Sequence, residues 1–135
     1  MYLLDVGSSD AAILYALLKE RTTEQSISHK EIPDYNAHEA FVARQPYPVW
    51  KLIEADGIIV GSIYLTERDE IGVFIFREQQ GLGYGSEAVS MLMQEYPGRR
   101  FLANINPMNS DSEKLFLKLG FKHIQNTYAY EPGTF

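Results

Sequence analysis

No cysteine occurs in the chain, which removes disulfide staples, thiolate metal ligands and a cysteine nucleophile, and fits a reducing compartment. Cytoplasm is the expected location. Positive charge is short as well: 12 Lys and Arg stand against 18 Asp and Glu, a formal net charge of −6, so the average surface repels nucleic acid and anionic membranes. No apolar run approaches the roughly 18 residues of a membrane span, and Met1-Tyr2-Leu3-Leu4-Asp5 lacks the basic region of a secretory signal. Nucleic-acid and membrane partners are therefore not expected. Histidine is scarce, three in all, with no H-x-x-x-H spacing, so no metal site is expected either. Repeats, charge blocks and low-complexity linkers are missing. The 135 residues read as a single domain, 1–135, long enough to bury roughly 65 to 70% of the unfolded surface around one core.

What is present is an ordered series of helix and strand patterns. Ser8-Ser9-Asp10 offers N-cap side chains to a helix whose Ile13, Leu14, Leu17 and Leu18 recur at helical spacing and fade near Arg21. After a polar stretch, Asp34 or Asn36 caps a short helix through Ala37, Phe41 and Val42 that stops before Pro46 and Pro48. Val49 to Glu54 and Ile58 to Thr66 are strand-like and flank Asp56-Gly57, a tight hairpin turn. Ile71 to Phe76 is almost continuously apolar, which predicts a central strand buried on both faces. A helix with Ala88, Val89, Leu92 and Met93 inward ends at Pro97-Gly98, and Arg100 to Ile105 reads as another strand. Asn109 or Ser110 caps a last helix closed by Gly120, and Phe121 to Tyr130 reads as a final strand. The total is an α/β protein of about six strands and four helices.

The strongest chemical signal lies between the apolar strand and the following helix, in Gln80-Gly81-Leu82-Gly83-Tyr84-Gly85-Ser86. Glycines there let backbone N–H groups turn toward one point, and the helix N-terminus adds about half a positive charge, a combination that binds phosphate oxygens. A glycine-rich turn also serves close helix packing, so the glycines alone leave both readings open. A Walker loop is rejected because the stretch holds no lysine. A dinucleotide fingerprint started at Gly81 would need glycine where Ser86 stands, and the 49 residues after it are too few for further β-α units.

Gln80 to Gly85 matches the Q/R-x-x-G-x-G/A signature of the GNAT acyltransferase superfamily, with Gly83 and Gly85 in the two small positions. Downstream, Asn109 to Phe121 resembles the family's second segment, an Asn, then Ser, then a helix ending Lys-x-Gly-Phe, close to the ribosomal-protein N-acetyltransferase-like branch. The resemblance covers Val49 to about Tyr130. It implies a single-domain fold with a mixed, splayed sheet of six to seven strands flanked by about four helices. It also implies acetyl-CoA as acyl-donor cosubstrate, without a metal: the pyrophosphate on the amides of Gln80, Gly81, Leu82, Gly83, Tyr84, Gly85 and Ser86, and the pantetheine as an added strand beside Phe74, Ile75 and Phe76. Asn109 would cap the last helix and contact pantetheine, with Phe116 close by. A carbonyl held near a strand N–H is polarised as amine attack begins.

The attacking amine must be neutral, so a base or a water held by one is expected. The resemblance favours Glu70, ten residues before Gln80; His38 is a second candidate, since imidazole titrates in the right range. Many family members carry a tyrosine that protonates the leaving thiolate, but the matching position here is Phe116. Tyr84, Tyr64 or water would take that role, or the thiolate leaves unaided, thiols being acidic near pH 8.5. His29, Glu31, Tyr35 and Tyr64 are acceptor-binding candidates, and Tyr35, Phe41, Tyr47 and Trp50 supply aromatic wall or simply core. Lys114, Lys118 and Lys122 offer positive charge for a 3′-phosphate or a solvated face. The expected partner is an amine acceptor, a small molecule such as an amino sugar or amino-sugar nucleotide, or a protein N-terminus or lysine; a homodimer through edge strands would be ordinary for such a fold. A non-catalytic acyl-CoA-binding module is the rival from another class.

Overall fold

The computed structural model describes residues 1–21 and 32–133. In chain order it contains β1 (Tyr2–Asp5), α1 (Ala11–Lys19), α2 (Tyr35–Ala43), β2 (Val49–Ala55), β3 (Ile58–Leu65), β4 (Ile71–Ile75), α3 (Tyr84–Glu95) and α4 (Ser110–Lys118). Single 3-10 turns at Ser8–Asp10 and Arg77–Gln79 lead out of β1 and β4. None of the described helices is long and apolar enough to cross a membrane.

The sheet corrects the expectation of six to seven mixed strands. Among the described residues it is four-stranded and antiparallel, in the order β1-β2-β3-β4. One strand is gained and two are lost relative to that expectation. Tyr2–Asp5, which carries no turn signal, pairs as an edge strand with Lys51 to Glu54 and is pinned by a Lys51–Asp5 ion pair at 2.5 Å. The segment expected as a strand at Arg100 to Ile105 touches the sheet through one parallel bridge, Glu70 to Leu102, before the two chains part. Finally, Phe121 to Tyr130 is not strand: its alternating pattern is present, but Ile124 and Tyr128 are exposed and the segment joins no strand of the described sheet.

Local chemistry explains the elements that were expected. Asp56 (φ 52°) and Gly57 (φ 79°) both occupy the left-handed region, the signature of a type I′ hairpin joining β2 to β3. The Asp34 carboxylate accepts the Ala37 N–H at 2.8 Å to cap α2, and Asn109 does the same for α4 through Ser112 N–H at 3.1 Å. Strand alternation then divides the core in two. Ile53, Ile63, Leu65 and Ile71 face α3 and α4, meeting Val89, Leu92 and Phe116. Trp50 and Leu52 face α1 and α2, meeting Leu14 and Val42. The apolar run of β4 is thus covered on both faces, but the strand ends the ladder instead of lying at its centre.

Candidate functional site

Gly81 and Gly83 have φ of 82° and 84°, a region where glycine carries no steric penalty, and a Cβ at either would meet nothing within 4 Å. These glycines are therefore required by backbone direction and not by crowding. Gly85 differs: its Cβ would press on Leu115 Cδ1 at 3.0 Å, so it serves the packing of α3 against α4. The first main-chain bond of α3 runs from Glu87 N–H to Gly83 C=O at 3.1 Å. The amides of Gly81, Leu82, Gly83, Tyr84, Gly85 and Ser86 donate to no described group. They open toward solvent at the positive end of a 12-residue helix. Gln80 braces the loop, its Nε2 donating to the Ile75 carbonyl at 3.0 Å. Arg77 N–H, one turn earlier, donates to Glu20 Oε1 at 2.7 Å and ties the loop to the end of α1.

The neighbouring edge of β4 is open. Phe76 N–H donates to Val60 C=O at 2.9 Å and Thr66 N–H to Glu70 C=O at 2.9 Å, so the even-numbered residues of this strand bond inward to β3. Antiparallel alternation then turns the main chain of Ile71, Val73 and Ile75 outward. Ile71 N–H finds Leu102 C=O at 2.8 Å, but past that bridge nothing described accepts from Val73 or Ile75. The edge groups available to a ligand are therefore the Val73 main chain and the Ile75 N–H, the Ile75 carbonyl being held by Gln80 Nε2. The amides of Phe74 and Phe76, both candidates from the sequence, point into the sheet, and Val73 is the residue that reading passed over.

Glu70 sits where β4 and the Arg100–Ile105 segment meet. Its Oε1 accepts from Thr66 Oγ1 at 3.0 Å and its Oε2 from Asn104 Nδ2 at 2.5 Å, so both oxygens are oriented and the side chain remains partly exposed. Tyr84 lies at the other end of the strand, half-buried against the α3 core. Glu70 and Phe76 are separated by about 20 Å of extended chain, so the fold does not bring Glu70 and Tyr84 together.

On the α1/α2 face of β4, side chains alternate Glu70, Gly72, Phe74. Tyr64 stands over Gly72, whose missing side chain leaves room for the phenol ring. Tyr64 stacks on Tyr47 at 4.0 Å and 5°. Burial raises both hydroxyls, Tyr47 to about 12, so each is protonated at neutral pH. Arg21, just beyond α1, lays its guanidinium on the Phe74 ring at 3.6 Å. Sequence pattern does not announce this contact, because an arginine after a helix C-terminus reads as a solvated cation.

His38 is displaced from this constellation. It is 6% exposed, packed 5.2 Å from the Tyr15 ring between α1 and α2, and its buried Nε2 has no hydrogen-bond partner among the described residues. Burial, aided by the Arg21 charge, lowers its pKa, so the ring is neutral. Tyr35 goes with it, in edge contact with Tyr15 at 5.3 Å, away from Tyr47 and Trp50. Phe116 is 5% exposed and meets Phe121 edge-on at 5.0 Å, a core position. Asn109 spends its carbonyl oxygen on the α4 cap. His29 and Glu31 lie outside the described residues. Hollows of about 170 Å³ at Tyr47 and Trp50 and about 270 Å³ at Phe76 and Gln79 flank the site without enclosing it.

Residues 1–122 match the family model described as Acetyltransferase (GNAT) domain. No curated protein sequence matches the chain. Solved structures do match in shape. A ribosomal-protein-alanine N-acetyltransferase from Brucella melitensis is 20% identical with a TM-score of 0.72, covering 93% of this chain and 86% of its own. A spermidine N-acetyltransferase chimera from Vibrio cholerae gives 13% and 0.75, with coverage of 93% and 84%. A GNAT superfamily phosphinothricin acetyltransferase from Sinorhizobium meliloti, solved in complex with acetyl-CoA, gives 18% and 0.73, with coverage of 90% and 74%.

Proposed function

The chain belongs to the GNAT acetyltransferase family, and on that footing we propose that it transfers an acetyl group from acetyl-CoA directly to the primary amine of a small molecule, with amino sugars and amino-sugar nucleotides as the leading acceptor class. The observation that carries the reading is the row of unengaged amides from Gly81 to Ser86 beside the unpaired edge at Val73 and Ile75. That donor set and the open space over Gly81 and Gly83 fit a diphosphate followed by an amide-bearing arm.

Acetyl-CoA, when bound, supplies an acyl thioester ready for attack. The protein's own work is binding, aiming and proton handling. The loop amides hold diphosphate oxygens with main-chain N–H groups already pointed, so little reorganisation is needed on binding. The Val73 main chain and the Ile75 N–H offer strand-type hydrogen bonds, as in β-augmentation. Glu70, fixed by Thr66 and Asn104, takes the proton that the amine must lose, directly or through one water. The ring edges of the Tyr47, Tyr64 and Phe74 cluster, whose faces are taken up by one another, by Gly72 and by Arg21, would border a ring-sized acceptor.

A second reading, acetylation of protein amines, is favoured by the likeness of the Asn109–Phe121 segment to the ribosomal-protein N-acetyltransferase-like branch. One experiment addresses both: calorimetry of the purified chain with acetyl-CoA, then thiol release with amino sugars, polyamines, amino acids and peptides with free N-termini. Turnover of the sugars is the expected result, and turnover of the peptides alone selects the second reading. Binding without turnover of any amine identifies a non-catalytic acyl-CoA module, and no binding overturns the donor site.

A further inference from the structure

Arg21 is an odd residue for the place it occupies. The chain is acidic, with a net charge of −6, yet this cation turns inward over the Phe74 ring instead of toward solvent. Its Nε is sealed from water without any hydrogen-bond acceptor. A buried guanidinium donor without an acceptor is costly, and folding alone gives no reason to keep one. The ion pairs among the described residues are Lys51–Asp5 and Arg99–Asp69, neither of which involves Arg21. Burial acts on its charge most, and among the described residues the Tyr64 and Tyr47 hydroxyls, which are neutral, act on it next. With one face of the guanidinium against Phe74 and Nε sealed, the terminal Nη groups are the part that can meet a ligand, and the residue as a whole stays partly exposed. Phe74 belongs to β4, on the face that also carries Glu70.

We infer that Arg21 is the anion-recognising residue of the acceptor site, so that the amine acetylated by this protein carries an oxyanion, a carboxylate or a phosphate, gripped by the guanidinium above Phe74. The inference rests on the reading of the chain as an amine acetyltransferase and adds the chemical class of its acceptor. Arginine suits the task because its planar fork matches both oxyanions in a bidentate way and stacks on an aromatic face at the same time. A charge-assisted hydrogen bond of this kind corresponds to about a 10- to 100-fold preference over the same amine without the anion.

The test uses matched probes: glucosamine 6-phosphate against glucosamine, and L-leucine against 3-methylbutylamine, with thiol release from acetyl-CoA as the readout. In at least one pair the anionic member is expected to have the higher kcat/KM by that factor. Arg21→Met should bring the ratio toward one, and Arg21→Lys, which keeps charge without the fork, should restore part of it. Equal use of both members, or a ratio unchanged in Arg21→Met, overturns the inference. Because an unsuitable panel would give no turnover, the Nε–Hε NMR signal of Arg21, assigned by its loss in Arg21→Met, is titrated with inorganic phosphate and with acetate. A saturable shift is expected with one of them, which also tells the two oxyanions apart; a signal moved by neither overturns the inference. Acetyl-CoA calorimetry separates the two levels. Failure of the wild-type chain to bind acetyl-CoA defeats the donor reading while the anion titration still decides about Arg21, and acetyl-CoA affinity lost only in Arg21→Met moves the residue to the donor site and overturns its assignment to the acceptor.

Discussion

Replacing Gly83 separates backbone direction from charge at the loop. Its φ of 84° penalises any side chain by about 1 to 2 kcal/mol, while the empty space around its Cβ position means no clash is added. Gly83→Gln and Gly83→Glu therefore share nearly the same strain and bulk, and differ by one negative charge. If a diphosphate rests on the amides of Gly81 to Ser86, that charge stands about 5 Å from it. At an effective dielectric near 20 the repulsion is about 3 kcal/mol per charge pair before solvent screening, and about 1 to 3 kcal/mol after it. Gly83→Glu should thus bind CoA about 10- to 100-fold more weakly than Gly83→Gln, with part of the gap closing at high salt. Calorimetric titration of CoA into both variants, at low and high ionic strength, measures the gap, and thermal melts of the free proteins verify that their stabilities agree. Equal CoA affinities in two folded variants would refute a diphosphate seat at these amides.

Three further outcomes follow from the same coordinates. Glu70→Gln should lower kcat/KM about 100-fold while leaving acetyl-CoA affinity intact; unchanged turnover would exclude Glu70 as the proton acceptor. Gly72→Ala should cost about 1 to 3 kcal/mol in urea unfolding, because the new methyl takes the place of the Tyr64 ring, and a neutral result would mean that the ring is free to move. For His38, the pKa is lowered in the folded chain, so the unfolded state binds the proton first as pH falls. Its stability contribution is complete above the unfolded value of about 6.5 and is lost as pH falls from there through the folded pKa, by at most about 1.4 kcal/mol per pH unit. Unfolding curves of wild type and His38→Gln should diverge over that window; parallel curves would contradict a buried neutral ring.

Local signals in the sequence were good guides to what they govern. Asp56-Gly57 forms the hairpin, Asp34 and Asn109 cap α2 and α4, and the glycines before α3 take left-handed angles. Long-range pairing was less legible. Tyr2–Asp5 has no turn to announce it, and its partner lies about fifty positions away. The alternation of Phe121 to Tyr130 resembles that of a strand, yet the segment joins no strand of the described sheet. The side chains around the acceptor face were least visible, because Arg21 gains its setting only when α1 ends beside β4 and Phe74 rises beneath it. His38 shows the opposite case: a titratable ring at a plausible position, drawn into the interface of α1 and α2 by packing.

The parting of β4 from its neighbour after Leu102 leaves an open sheet margin, so the cleft we propose is made by withholding a strand instead of carving a cavity. Recognition written in peptide groups is blind to side-chain identity. Substitutions along such a margin alter what surrounds a guest without erasing the rungs it climbs, and only positions that steer the backbone, such as Gly81 and Gly83, resist exchange.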